Sequence, residues 1–261
     1  MKSALFKLLP YVVGIGFGIL LVNPPDFLRS LGAAAYLVMA VLVALLLLVF
    51  MGFLLLSQFP ADPKMEPVAG ATLPSDLQAH LPQFAQAGFK PAGPTLTVGA
   101  APPSLLLSFV HEHEPIYAGL FRTGTVPARV SYYCSSIFEG KRGGLTTSPE
   151  PRGGALPAVP GSLRQFFPKA KLAELLGHHR RALAYLATRG ISPRSLDGST
   201  FTEDYRRSFA RSRRAFLRRP IFTTLVTAWR IFTRSNPCLG AIAQQASIEQ
   251  QIREVQTGAV D

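Results

Sequence analysis

The chain has 261 residues and a net charge of +12, and 10 of these 12 excess charges lie in residues 161–261, where 17 basic residues stand against 7 acidic ones. This length suits a membrane anchor with one soluble domain of ordinary size. The only two cysteines, Cys134 and Cys238, are too few for a secreted fold stabilised by disulfides, and reduced thiols fit a cytoplasmic domain. Concentrated basic charge attracts nucleic acid, anionic lipid or an acidic protein.

The longest uncharged stretch of the chain, residues 31–61, predicts a transmembrane helix over residues 32–56. Crossing a hydrocarbon layer about 30 Å thick takes about 20 apolar residues, and this segment exceeds that length. A buried helix of a soluble core would normally be shorter. A second apolar stretch, residues 4–22, is long enough to span if Lys7 snorkels to the headgroups. Together the two stretches predict a transmembrane hairpin over residues 1–57.

The first apolar stretch also has features of a secretory signal peptide, because Lys2 and Lys7 precede it and small residues follow at 32–35. Two prolines and a charged loop separate it from those small residues, which argues against cleavage there. Basic residues on both sides of the hairpin favour both chain ends inside. We therefore expect a multi-pass protein of the bacterial inner membrane with a cytoplasmic soluble domain. The domain would face outward if the first stretch does not span.

After the anchor, the sequence predicts a Pro-rich linker at 58–74, an α+β domain at 75–240 and a polar tail at 241–261. Alternating apolar residues and turn residues indicate strands in the first half of the domain. The predicted strands are residues 94–98, 104–110, 116–122, 128–138 and 145–148. Their short connections favour an antiparallel meander. In the longest strand, Cys134 falls on the same face as Val130 and Tyr132.

Helical periodicity predicts helices before the sheet and after it. The first helix is marked by a capping box of Ser75 and Gln78, and the long helix after the sheet is bounded by Pro168 and Gly190. A second capping box, Thr200 and Glu203, starts the next helix, and Pro220 precedes a shorter apolar helix. The first of these segments is expected to form one short helix or two fragments.

The strongest functional feature is the helix that starts at the second box. Seven arginines occur within residues 206–219, with no acidic residue between them. They are Arg206, Arg207, Arg211, Arg213, Arg214, Arg218 and Arg219. Near an anionic leaflet each arginine contributes about 1 kcal/mol. Phe201, Tyr205, Phe209 and Phe216 form an aromatic stripe on the same helix, which either packs on the sheet or enters the membrane interface.

Two other interpretations of this basic helix stay open. Charge runs often mark only a solvated face, so the arginines can serve solubility alone. Basic residues interleaved with aromatic ones permit nucleic-acid binding, but no recognised binding signature occurs in the chain, and nucleic acid is not the expected partner.

Candidates for chemistry are few. His111 and His113 would share a face of a strand, as two zinc ligands do, but Pro115 follows at once and no third ligand has a diagnostic spacing. Cys134 fits a buried hydrophobic residue better than a nucleophile. The chain has no Cys-x-x-Cys, no phosphate-binding glycine loop and no Gly-x-Ser-x-Gly elbow. The sequence therefore predicts no catalytic, cofactor-binding or metal-binding residue.

Three segments follow one another in the domain: Tyr-Tyr-Cys-Ser-Ser-Ile-Phe-Glu-Gly at residues 132–140, Leu-Thr-Thr-Ser at 145–148, and a helix around His178 and His179. In this order they resemble a loose group of bacterial membrane-anchored proteins of unknown function. The resemblance covers residues 75–240 and implies one coherent soluble domain, with no known activity attached.

The leading hypothesis is a non-enzymatic, membrane-tethered cytoplasmic module. Its basic helical surface is expected to contact anionic lipid headgroups or a membrane protein partner. One alternative is a membrane-bound enzyme that uses His111, His113 or Cys134, and another is a structural subunit of a membrane complex.

Overall fold

A computed structural model describes residues 32–57, 65–68, 73–98, 104–124, 128–141, 143–150, 159–233 and 235–257. These residues form a mixed α+β fold around one eight-stranded, mostly antiparallel sheet with several helices. The fold class predicted for the soluble part is therefore confirmed.

The predicted transmembrane hairpin is not found. Its first span, residues 4–22, lies outside the described residues, and its second span falls on helix α1, Gly32–Ser57, of 26 residues. The described side chains of α1 are those of residues 37–53 and Leu56. Over the described residues, no helix is found that is both long and apolar enough to cross a membrane.

The strands are β1 (Met65–Pro67), β2 (Phe89–Pro91), β3 (Leu96–Val98), β4 (Ser104–His111), β5 (Tyr117–Arg122), β6 (Val130–Ile137), β7 (Gly144–Ser148) and β8 (Ser162–Phe166). The remaining helices are α2 (Ser75–Gln78), α3 (Leu81–Gln86), α4 (Leu172–Ala187), α5 (Phe201–Arg218), α6 (Pro220–Thr233) and α7 (Ile248–Thr257). All five predicted strands are present with shifted ends, and the first predicted helix forms as two fragments.

The sheet has the strand order β1-β3-β4-β5-β6-β7-β8, and β2 pairs with the end of β4 that β3 leaves open. Strands β3 to β7 follow one another in antiparallel pairs, which confirms the predicted meander. The last pair differs, because β8 runs parallel to β7 with Leu145 opposite Leu163. A parallel neighbour requires a long return connection. The sequence did not predict β8, because the segment after β7 was interpreted as a link to a helix.

One face of the sheet carries the main core, beneath α2, α3 and α4. Phe84 of α3 is fully buried and stacks on Phe109 of β4 with ring centroids 4.4 Å apart. Tyr132 and Cys134 of β6 belong to the same cluster, so the predicted alternation of β6 is confirmed. Burial of each large apolar side chain stabilises the fold by about 1.5–3 kcal/mol.

The other face is covered by the start of α5. Phe201 packs edge-on against Tyr117 with ring centroids 5.1 Å apart, and Tyr205 stacks on Phe201. The Tyr117 hydroxyl donates a hydrogen bond to the backbone oxygen of Asp197 at 2.7 Å, just before α5. Among the described residues of α5, only Phe201 and Phe216 are buried. The aromatic stripe therefore fixes the first turns of α5 to the sheet.

The hydrogen bonds at the helix starts differ from those of the predicted capping boxes. Thr200 precedes α5 as predicted, but its hydroxyl donates to the backbone oxygen of Asp197 at 3.0 Å, and no capping-box bond forms. Gln78 likewise donates to the Leu73 backbone oxygen instead of closing a box. Pro168 lies in a turn outside α4, which begins at Leu172. Nearby backbone acceptors outside the helices compete for these short side chains.

Helix α7 lies within the segment predicted to be a polar tail. Its buried residues Ile248, Ile252 and Val255 pack in a cluster with Phe138 of the sheet region and Leu186 of α4. The polar residues of this segment face outward, so it is an amphipathic helix of the domain.

Candidate membrane-contacting surface

Helix α6 packs against helix α1. Gly52 of α1 lies opposite Thr224 of α6, and a Cβ atom at Gly52 would be 3.2 Å from the Thr224 hydroxyl oxygen. Helices that approach this closely need small residues at the contact. The half-buried positions Leu48, Gly52 and Leu56 recur every four residues, which defines one face of α1.

The burial pattern of α6 is inverted relative to a helix of a soluble protein. Its buried residues are the polar Thr223, Thr224 and Thr227, which we call the threonine face. Its exposed large apolar residues, among those whose side chains are described, are Ile221, Phe222, Leu225 and Trp229, which we call the outward face, and 52–67% of each is accessible. The two sets lie on opposite sides of the helix, because 3.6 residues complete a turn. In water, hydrophobic burial favours the reverse arrangement.

Two hydroxyls of the threonine face form hydrogen bonds within α6 itself. Thr224 donates to the Pro220 backbone oxygen at 2.7 Å, and Thr227 donates to the Thr223 backbone oxygen at 2.6 Å. Neither hydroxyl needs a water molecule as a partner. Such bonds to the preceding turn let a threonine lie in an apolar environment without an unpaired polar group.

The described side chains of α1 extend the apolar surface beside α6. Leu37, Leu46 and Val49 are each about two-thirds exposed, and Phe53, next to the Gly52 contact, is also exposed. The sequence of α1 contains no charged residue. Exposed apolar side chains on two helices that pack together indicate a contact with a membrane or another protein.

Three arginines stand where the basic helix meets the apolar one. Arg214 and Arg218 are exposed near the end of α5, and the exposed Arg219 directly precedes Pro220, the first residue of α6. We call these three residues the arginine cluster. Within the described part of the chain, no acidic side chain forms an ion pair with any of them. Leu217, between two of them in the sequence, is also exposed.

The other four predicted arginines have different surroundings. Arg206 and Arg207 are exposed nearer the sheet, and Arg207 pairs with Glu203 at 2.5 Å. Arg211 and Arg213 are half-buried. Burial lowers the pKa of Arg211, and the neighbouring charge of Arg214 lowers it further. The structure therefore divides the predicted seven into an arginine cluster at α6 and four residues along α5.

The histidines considered for metal binding do not converge. His111 is buried at the end of β4, where burial lowers its pKa, whereas His113 is largely exposed. Arg180 lies beside His111 and forms an ion pair with Glu114 at 2.8 Å. No three histidine, cysteine or acidic residues among those described are arranged to hold a metal ion.

The cysteines offer no accessible nucleophile. Cys134 is fully buried, and burial raises its pKa to about 12. A thiol with this pKa is almost entirely protonated at neutral pH, whereas a nucleophile needs the thiolate. Cys238 is buried as well.

The two adjacent histidines of α4 have different surroundings. His178 is partly exposed and stacks on Phe167, whereas His179 is fully buried. His179 binds Thr147 and Ser136 on neighbouring strands, a polar network that the sequence did not reveal. Enclosure on all sides indicates a structural role for His179.

The inverted face of α6 was missed at the sequence level although its signal is present. Ile221, Leu225 and Trp229 recur every four residues, and the threonines occupy the opposite side. An apolar stripe is normally assigned to the core, and nothing in the linear sequence indicates that α1 occupies the other side.

Comparisons with models of known protein families, with curated proteins and with solved structures find no match to this chain.

Proposed function

We propose that the protein is a non-enzymatic α+β module anchored in a membrane by α1, and that its arginine cluster binds anionic lipid headgroups. Helix α1, Gly32–Ser57, has 26 residues and no charged residue in its sequence. At about 1.5 Å per residue the helix is about 39 Å long, against about 30 Å of hydrocarbon.

The observation that supports lipid binding is the position of Arg214, Arg218 and Arg219 beside an apolar helix. A membrane surface presents these two environments together, a layer of negative headgroups next to acyl chains. Three arginines that have no acidic partner among the described residues would contribute up to about 3 kcal/mol at such a surface, less when salt screens them. A partner protein with a matching acidic surface is the other outcome that a test must distinguish.

Anionic lipid should co-purify with the protein through these arginines. We expect the full chain, extracted in mild detergent from vesicles of equal phosphatidylglycerol and phosphatidylcholine, to retain several times more phosphatidylglycerol. The R214Q/R218Q/R219Q variant should lose this preference, and 0.5 M salt should reduce it, since the Debye length then falls to about 4 Å. Mass spectrometry of the bound lipids measures the ratio.

A matched control removes three exposed basic residues from other parts of the chain, as R129Q/K169Q/R253Q. This variant should keep the wild-type lipid ratio. Equal retention of the two lipids by the wild-type protein would contradict the lipid proposal and leave a protein partner as the ligand of the arginine cluster.

We also propose that the soluble domain lies on the cytoplasmic side of a bacterial inner membrane, supported by Lys2, Lys7 and the basic domain. The native cysteines are buried and provide a low background for labelling. A membrane-impermeant maleimide should therefore label the exposed position of a Ser195→Cys variant only after cell lysis. Labelling of intact cells would place the domain outside.

A further inference from the structure

The side chains of helix α6 indicate its environment, in addition to its position beside the arginine cluster. We infer that α6 is itself immersed in the membrane, with its outward face against lipid acyl chains and its threonine face against α1. This inference rests on the proposed anchoring by α1 and adds a second lipid-contacting helix, Pro220–Thr233, to it.

The first argument is the inversion of α6. Exposing Ile221, Phe222, Leu225 and Trp229 to water forgoes the free energy that burial of large apolar side chains provides. In lipid this cost disappears, because the surroundings are as apolar as the side chains. Helix contacts in membranes then depend on small and hydroxyl residues that allow close packing. The pairing of Gly52 with Thr224 has this character.

The second argument is the placement of polar groups. Thr224 and Thr227 donate within the helix, so their hydroxyls are compatible with a water-free environment. The single charged residue of α6, Arg230, follows Thr227 by three positions and therefore lies on the threonine side. The outward face is consequently free of charge along its whole length.

The third argument identifies lipid as the occupant. Both helices of this packed pair expose apolar side chains, the outward face on α6 and Phe53 beside the Gly52 contact on α1. At the start of α6 the arginine cluster borders this apolar surface. An apolar layer bordered by cations matches the boundary between acyl chains and anionic headgroups. Trp229 near the other end of α6 also suits this boundary, where tryptophan is enriched.

Trp229 provides a direct test, because it is the only tryptophan of the protein. The full chain is reconstituted in neutral phosphatidylcholine vesicles, so that the result does not depend on lipid charge. We expect acyl-brominated phosphatidylcholine to remove most of the Trp229 emission and aqueous iodide to remove little. A W229F/Q250W variant, with its tryptophan at an exposed position of α7, should show the reverse.

Iodide quenching of Trp229 equal to that of the control would overturn the inference. Protection from both quenchers would overturn it as well, because another protein surface would then cover the outward face. Flotation of the protein with the vesicles separates the two proposals. If the protein floats with the vesicles but iodide quenches Trp229, α1 still anchors the protein while α6 lies in water.

Discussion

Acidification should destabilise the domain through His179, a residue that touches no membrane surface. Its Nδ1 atom lies 2.8 Å from the Thr147 hydroxyl and its Nε2 atom 3.0 Å from the Ser136 hydroxyl. The Ser136 hydroxyl donates to the Pro115 backbone oxygen at 2.6 Å and therefore accepts from His179. Gln165 donates to the Thr147 oxygen at 2.8 Å. These bonds assign the neutral tautomer with the proton on Nε2.

Burial lowers the pKa of His179 to about 3, from 6.5 for an unperturbed histidine. Between these two values the unfolded chain binds a proton that the folded chain does not. The free energy of unfolding is therefore highest above pH 6.5 and decreases as the pH falls towards 3. The slope is about 1.4 kcal/mol per pH unit, which amounts to roughly 2–3 kcal/mol between pH 7 and pH 4.5.

The variant His179→Gln tests this assignment, because an amide keeps one donor and one acceptor but does not titrate. We expect it to be about 1–3 kcal/mol less stable at pH 7, with much of the pH dependence removed. The control His178→Gln changes a partly exposed histidine and should retain most of the slope. Urea unfolding of the full chain in mild detergent, followed by far-ultraviolet circular dichroism, measures both. Equal slopes in wild type and His179→Gln would contradict the prediction.

The features that the sequence predicted well depend on local pattern. Alternation in β6 placed Tyr132 and Cys134 on the core face, and short connections predicted the meander. Gly190 closes α4 with a φ of +73°, as expected for a glycine that ends a helix. Each of these features depends on residues within about one element of each other, so the linear sequence contains the necessary information.

The features that the sequence did not predict depend on residues far apart in the chain. The exposed apolar face of α6 can be interpreted only once Gly52 of α1 is known to lie beside Thr224, which is 172 positions later in the chain. The polar network joins His179 of α4 to Ser136 and Thr147 on two strands. An isolated apolar stripe is assigned to the core, and an isolated threonine to the surface. Only the packing of α1 against α6 reverses both assignments.

Replacing Gly143 by alanine should destabilise the domain severely. Gly143 has a φ of +115°, and an added Cβ atom would lie 1.9 Å from the backbone oxygen of Gly161. Gly161 cannot move aside freely, because its oxygen accepts a hydrogen bond from the Gly144 amide at 3.0 Å. Gly143 itself is held by the Phe138 amide, which donates to its carbonyl at 2.9 Å. We expect a loss on the order of 4 kcal/mol or more, beyond the cost of an unfavourable φ alone.

The control Gly190→Ala separates backbone strain from the steric clash. Gly190 also has a positive φ, but a Cβ atom there meets nothing within 4 Å, so we expect a loss of only about 1 kcal/mol. The urea midpoint and the yield of folded full-length protein measure the difference between the variants. Equal stability of the two would mean that Gly161 does not approach Gly143. The parallel pairing of β7 with β8 would then be doubtful as well, because Gly144 and Ser162 begin that pair directly beside the two glycines.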